Sequence, residues 1–146
     1  MTAGRIDLER RAFAAVPASA RAARQFVGDV LRRRSADQAL ISDYQLVVSE
    51  LASNVIEHGD GSEMVVVVDS ADPQWWAVEV SDGPLVAPFE LTPDTWKVAD
   101  PREFSGRGLG IVRELMDDIV IGVVGGHVSV RCRRHRRPPH LQEALT

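Results

Sequence analysis

Val47-Val48-Ser49-Glu50-Leu51-Ala52-Ser53-Asn54-Val55-Ile56-Glu57-His58 carries two patterns at once. Val47, Val48, Leu51, Ala52 and Val55 recur at three- and four-residue spacing, the period of a helix that buries one stripe. Glu50, Asn54 and His58 stand four residues apart and stack into a second, polar stripe beside the first. A carboxylate can take a proton, and an amide oxygen is a hard ligand of the kind magnesium accepts. Held one turn apart at the edge of a core, the pair suits a metal-phosphate site. A solvated helix face is the commoner reason for such a pair, so the rest of the chain has to decide.

Downstream, Val78-Glu79-Val80-Ser81-Asp82-Gly83-Pro84 reads as a strand running into an Asp-Gly turn. Ser105-Gly106-Arg107-Gly108-Leu109-Gly110-Ile111 reads as a glycine-rich turn that enters a helix spanning about residues 109 to 117. Alternating glycines directly ahead of a helix let backbone amides point at phosphate oxygens. Upstream, 11 to 16 reads as a short strand, and Ser19 as the N-cap of a helix whose inner face is Ala23, Phe26, Val27, Val30 and Leu31. Arg32, Arg33 and Arg34 then suit the negative end of that helix. The second helix starts near Ser35-Ala36-Asp37 and stops at Gly59, where a left-handed residue is wanted.

Met64 to Asp69 and Trp75 to Val80 form one hairpin through Ser70-Ala71-Asp72-Pro73, and Ile119 to Val124 and His127 to Arg133 another across Gly125-Gly126. Between them, 83 to 107 holds four of the eight prolines (Pro84, Pro88, Pro93, Pro101), which excludes regular structure. So long an irregular segment in a compact domain is usually functional. The order of elements gives an α/β fold: a two-layer sandwich with a mixed, mainly antiparallel sheet and helices on one face. One domain is expected over 1–134, with residues 1 to 8 a frayed lead-in, before a basic, proline-containing flexible tail at 135–146.

Composition limits the function classes. With 146 residues, 45% hydrophobic and 26% charged, the chain suits one globular domain. A net charge of -4 supplies no field to draw it to nucleic acid. Its single cysteine, Cys132, excludes an internal disulfide and falls in a strand pattern as a small packed residue. No apolar run approaches the roughly 20 residues that span a bilayer, and the first residues lack a signal-peptide core. A cytoplasmic location, away from membranes, is the expectation.

A Glu-x-x-x-Asn helix, a strand ending in Asp-Gly, and Gly-x-Gly-x-Gly before a helix, in that order, resemble the N, G1 and G2 boxes of the GHKL ATPase superfamily. Ser105 to Gly110, with Met116-Asp117 closing the helix and Phe13 through Val27 opening the chain, is similar to the bacterial anti-sigma-factor serine kinases. The likeness covers roughly residues 10 to 134.

It implies a Bergerat-type fold binding ATP and Mg2+, with 83–107 containing the lid over the nucleotide. It also implies roles for individual residues. Glu50 becomes the general base and Asn54 the magnesium ligand. Asp82 accepts a hydrogen bond from the adenine amino group, and Gly83 lets backbone approach the base. Gly106, Arg107, Gly108, Leu109 and Gly110 hold the phosphates, with Arg102 or Arg107 neutralising their charge. His58 reads as a cap or packing residue, and Asp43 as structural or partner-facing. The implied partners are a sigma factor and a STAS-domain anti-anti-sigma protein. A homodimer is expected as well, using apolar residues left over at Ala15, Val16 and Phe26. The alternative is an ATP-binding partner switch with weak or no kinase activity. That reading follows from two departures: Pro84 and Leu85 replace an expected glycine, and the final hairpin reads Gly125-Gly126-His127-Val128 where relatives carry a hydroxyl.

Overall fold

The computed structural model describes residues 8–58, 63–82, 97–98, 106–124 and 127–136. Along the chain these are β1 (Leu8–Ala14), α1 (Ala18–Arg33), α2 (Gln38–His58), β2 (Glu63–Asp69), β3 (Trp75–Asp82), β4 (Lys97–Val98), α3 (Gly106–Leu115), β5 (Asp118–Val124) and β6 (His127–His135). The strands form one sheet in the order β1-β2-β3-β6-β5-β4. Every pairing among the described residues is antiparallel, so the parallel component of the expected mixed sheet is missing there. For β1 and β2 the reason is the connection. A single crossover helix returns the chain for a parallel strand, whereas the antiparallel pair α1–α2 brings it back to the end it left.

The sandwich is two-layered, with the helices on one face. Met64, Val66 and Val68 of β2, Val78 and Val80 of β3, and Val130 and Cys132 of β6 meet Val27, Val30 and Leu31 of α1, Val47, Val48 and Leu51 of α2, and Val112 of α3. Tyr44 of α2 is fully buried, and its hydroxyl reaches the carbonyl oxygens of Trp76 (2.8 Å) and Cys132 (3.2 Å), pinning the helix to the two central strands. Burial holds its phenol well above the usual range. The Cys132 thiol, pushed up to about 12 by burial, is the inert packed residue its strand pattern implies. At Gly28 of α1 an added Cβ would sit 2.4 Å from the Gln45 amide nitrogen of α2, so the helices cross closely there.

Local capping departs from expectation in two places. Ser19 lies inside α1, whose N-cap is Pro17 with no side-chain cap; proline already supplies the turn dihedral, with φ at -52°. Ser35 belongs to the end of α1 and not to the start of α2. Its φ of 64° is left-handed. Its N–H reaches Arg32 O at 3.1 Å and the next, of Ala36, reaches Leu31 O at 3.0 Å, the paired bonds that close a helix C-terminus. Asp37 then caps α2 by accepting the Leu40 N–H at 2.8 Å. Because glycine carries no Cβ penalty at left-handed φ, Ser35→Gly is expected to stabilise the fold by about 0.5–1 kcal/mol. Thermal melting checks this; an unchanged or lower midpoint shows that Ser35 carries no strain.

Other boundaries moved as well. β1 begins at Leu8, which the lead-in was expected to include. Lys97–Val98 pair with β5 as an edge strand inside the segment read as wholly irregular, since a two-residue pairing at an edge avoids the prolines. β6 continues to His135, whose ring stacks 3.9 Å from Trp75, and Arg136 lies over Trp76 at 4.2 Å, beyond the expected end of the domain. Phe26, expected as surplus surface, is 5% exposed beneath Phe13 and the Arg11 guanidinium, leaving Val16 exposed. The tail from 137, residues 1–7 of the lead-in, Gly59, Gly83, Gly125-Gly126 and most of the expected lid, Arg102 included, lie outside the described residues.

Candidate functional site

Topology gathers the candidate residues at one end of the sandwich. Asp82 is the last residue of β3, opposite Met64 near the start of β2. β2 itself follows α2 after only residues 59–62. The register places His127 and Val128, the start of β6, at the same end, with Val124 of β5. α3 delivers the chain to Asp118, which pairs with Arg133 toward the opposite end. At about 1.5 Å per residue, the glycines at the start of α3 lie about 15 Å back from there. The C-terminal end of α2, the start of α3 and the ends of four strands, β2, β3, β5 and β6, therefore lie at one end of the sandwich.

Glu50 and Asn54 are both half-buried on α2, one turn apart, as their spacing requires. His58 ends that helix. Asp43, earlier on α2, is tied to Arg134 of β6 and is structural. Gly106, Arg107, Gly108, Leu109 and Gly110 lie within α3, so the helix begins about three residues earlier than the glycines suggested. That shift is compatible with a phosphate-binding role: the amides of the first helical turn have no intrahelical acceptor, and among the described residues these are the amides of Gly106, Arg107 and Gly108.

Asp82 is held more firmly than an Asp-Gly turn would require. Its Oδ1 accepts the Val128 N–H at 2.8 Å, and His127 Nδ1 stands 3.4 Å from the same oxygen. The carboxylate is thereby fixed across the β3–β6 pair. Sequence reasoning missed this link, and the alternation of the strands gave no signal for it: Asp82 is in step with Val78 and Val80 on the helix-facing side, as are Val128, Val130 and Cys132, whereas His127, Ser129 and Arg131 take the other face. Ser129, on that other face, is buried with its Oγ 2.7 Å from Ser81 Oγ, and so does not stand in for the absent hydroxyl of the hairpin.

The same face carries a charged chain. Arg131 lies 3.4 Å from both Glu79 and Asp69. Glu79 is 5% exposed; burial raises its pKa, opposed by the charge and hydrogen bond of Arg131 and by a bond from Ser129.

A magnesium ion fits the donor set in one mode. Among the described residues no group of three or more His, Cys, Asp or Glu side chains forms a cage. A half-buried amide oxygen such as Asn54 matches the way magnesium takes few protein ligands and completes its shell with substrate phosphates and water.

Comparison with known proteins defines the class. The model of the histidine kinase-like ATPase domain matches residues 13–132, and the chain belongs to that family. Solved structures that share the fold include the following two. The RsbU and RsbW domains of Rv1364c from Mycobacterium tuberculosis superpose with a TM-score of 0.62 at 20% identity, covering 89% of this chain. This chain spans only 33% of that mycobacterial one. The SiaB-SiaC complex from Pseudomonas aeruginosa gives a TM-score of 0.60 at 13% identity, covering 88% of this chain and 90% of the other. No curated protein matches. Among the described residues no helix is long and apolar enough to cross a membrane.

Proposed function

We propose that this chain is an anti-sigma factor with ATP-dependent serine kinase activity, which sequesters a sigma factor and phosphorylates a STAS-type anti-anti-sigma antagonist. The observation that carries the reading is the family match over 13–132, which contains Glu50, Asn54, Asp82 and the glycine run in the family's order. The likeness of fold to an RsbW domain and to the SiaB-SiaC complex supports work done on protein partners.

In this reading Asp82 receives the adenine amino group, the amides of 106–108 donate to phosphate oxygens, and Arg107 or Arg102 offsets their charge. Asn54 holds Mg2+, which screens that charge when bound. Glu50 takes the proton from the acceptor serine hydroxyl as its oxygen bonds to the γ-phosphorus; the bond to the bridging oxygen breaks and ADP leaves with the electron pair. Homodimerisation belongs to the same reading, with Val16, 47% exposed, as the apolar surface remaining for it. A partner switch with little transfer activity is favoured by one observation: Ser129 is spent on Ser81, so the hairpin hydroxyl is not replaced.

The test begins with binding. Calorimetry with millimolar ATP and magnesium is expected to give heat, and Asp82→Asn to weaken binding by on the order of 1–3 kcal/mol, the worth of a charge-assisted hydrogen bond. No heat from the native protein defeats the proposal at its base. Labelled ATP incubated with the protein and candidate STAS-domain antagonists then separates kinase from partner switch.

A further inference from the structure

We infer that His127 is a positioning residue for Asp82, making selection of adenine by that carboxylate sensitive to the charge on the imidazole. The inference rests on the nucleotide-binding reading above and adds to it a control that belongs to this chain.

The geometry is asymmetric. Both the Val128 N–H, at 2.8 Å, and His127 Nδ1, at 3.4 Å, approach Oδ1 of Asp82. In the nucleotide-binding reading, Oδ2 is the oxygen that accepts from the base amino group. The Asp82 side chain is 13% exposed and that of His127 is 37% exposed, so the carboxylate is sheltered while the imidazole meets solvent. A neutral imidazole orients the carboxylate without competing for its charge. An imidazolium draws negative charge toward Oδ1 and repels the partial positive charge of an amino group approaching Oδ2. Proton and adenine therefore oppose each other, and by linkage the effect is mutual.

Among the described residues, Asp82 is the charged group against His127 on β3. Glu63 opens β2 at the same end of the sheet. Arg131, four residues along β6, is already paired with Glu79 and Asp69. Across on β5 the register partner is Val124.

The ratio of ATP to GTP affinity isolates the effect, because the two nucleotides carry the same phosphates and a direct influence of pH on those cancels. In the native protein the ratio is expected to fall on the order of fivefold between pH 7.5 and pH 5.5, the scale of a partly exposed ion pair. In His127→Gln, which cannot be charged, it should stay flat; in His127→Lys, which is always charged, it should be low at both pH values. Circular dichroism checks that each variant is folded. A native ratio independent of pH, or an equal fall in His127→Gln, overturns the inference and leaves the nucleotide site standing. Absence of ATP binding at both pH values defeats the nucleotide reading and this inference with it.

Discussion

Glu50→Gln is expected to lower phosphate transfer to an acceptor serine by roughly 10²–10⁴-fold, the usual worth of a positioned base. The substitution keeps the shape of the side chain and most of its hydrogen bonding, and removes only the basic carboxylate. In the proposed mechanism ATP binding should barely change, because a base in that role acts on the acceptor hydroxyl and not on the nucleotide. Asn54→Ala gives the contrasting result: magnesium-dependent binding and transfer fall together. Single-turnover transfer from labelled ATP, beside calorimetry of each variant, separates these outcomes. Loss of binding and transfer together in Glu50→Gln makes the residue structural. A native protein that binds ATP and a sigma factor yet phosphorylates no antagonist makes the partner-switch reading correct.

The second large effect is on stability. Arg131→Met leaves the buried Glu79 carboxylate without its counter-charge. Removing one partner of a buried ion pair costs about 3–5 kcal/mol. The lower end applies here, because the arginine side chain keeps 24% of its exposure. About 3 kcal/mol corresponds to a fall of roughly 6–12 °C in melting temperature for a domain of this size.

The pH dependence has a definite sign. The folded-state pKa of Glu79 is raised above 4.5, so its contribution to stability is fully present below that value. It is lost as pH rises through the folded pKa. Without Arg131 the pKa rises further, so the deficit relative to the native protein should be largest near neutrality and shrink toward pH 5. Adding Glu79→Gln to Arg131→Met should recover much of the loss, since a neutral amide costs less to bury. Melting curves across that range decide the matter; a deficit that is flat with pH would show that Arg131 acts through packing or through Asp69 alone.

Much of the architecture was legible in local periodicity. The apolar stripe of α2 emerged as written, with Val47, Val48, Leu51 and Ala52 buried and Val55 packed beside them, and Glu50 and Asn54 stayed together at its edge. Both hairpins and the helical layer on one face followed from the same patterns. Boundaries were less legible, because caps are chosen by dihedral angles. Ser19 and Ser35 are both good capping residues, yet Pro17 took one end of α1 and the left-handed Ser35 took the other.

The sequence by itself determined which residues could do chemistry and in what order they lie: Glu50, Asn54, Asp82 and the glycines of 106–110. Spacing along a helix or strand sets face and period, and those are local properties. Only the tertiary structure decided that Asp82 is clamped by Val128 and His127, that Ser129 is spent on Ser81, and that Arg131 holds Glu79. Each of these links joins β3 to β6, residues about fifty positions apart. Pairing at that distance depends on strand order and register, which follow from how the whole sheet buries its apolar face and are written in no single stretch of the chain.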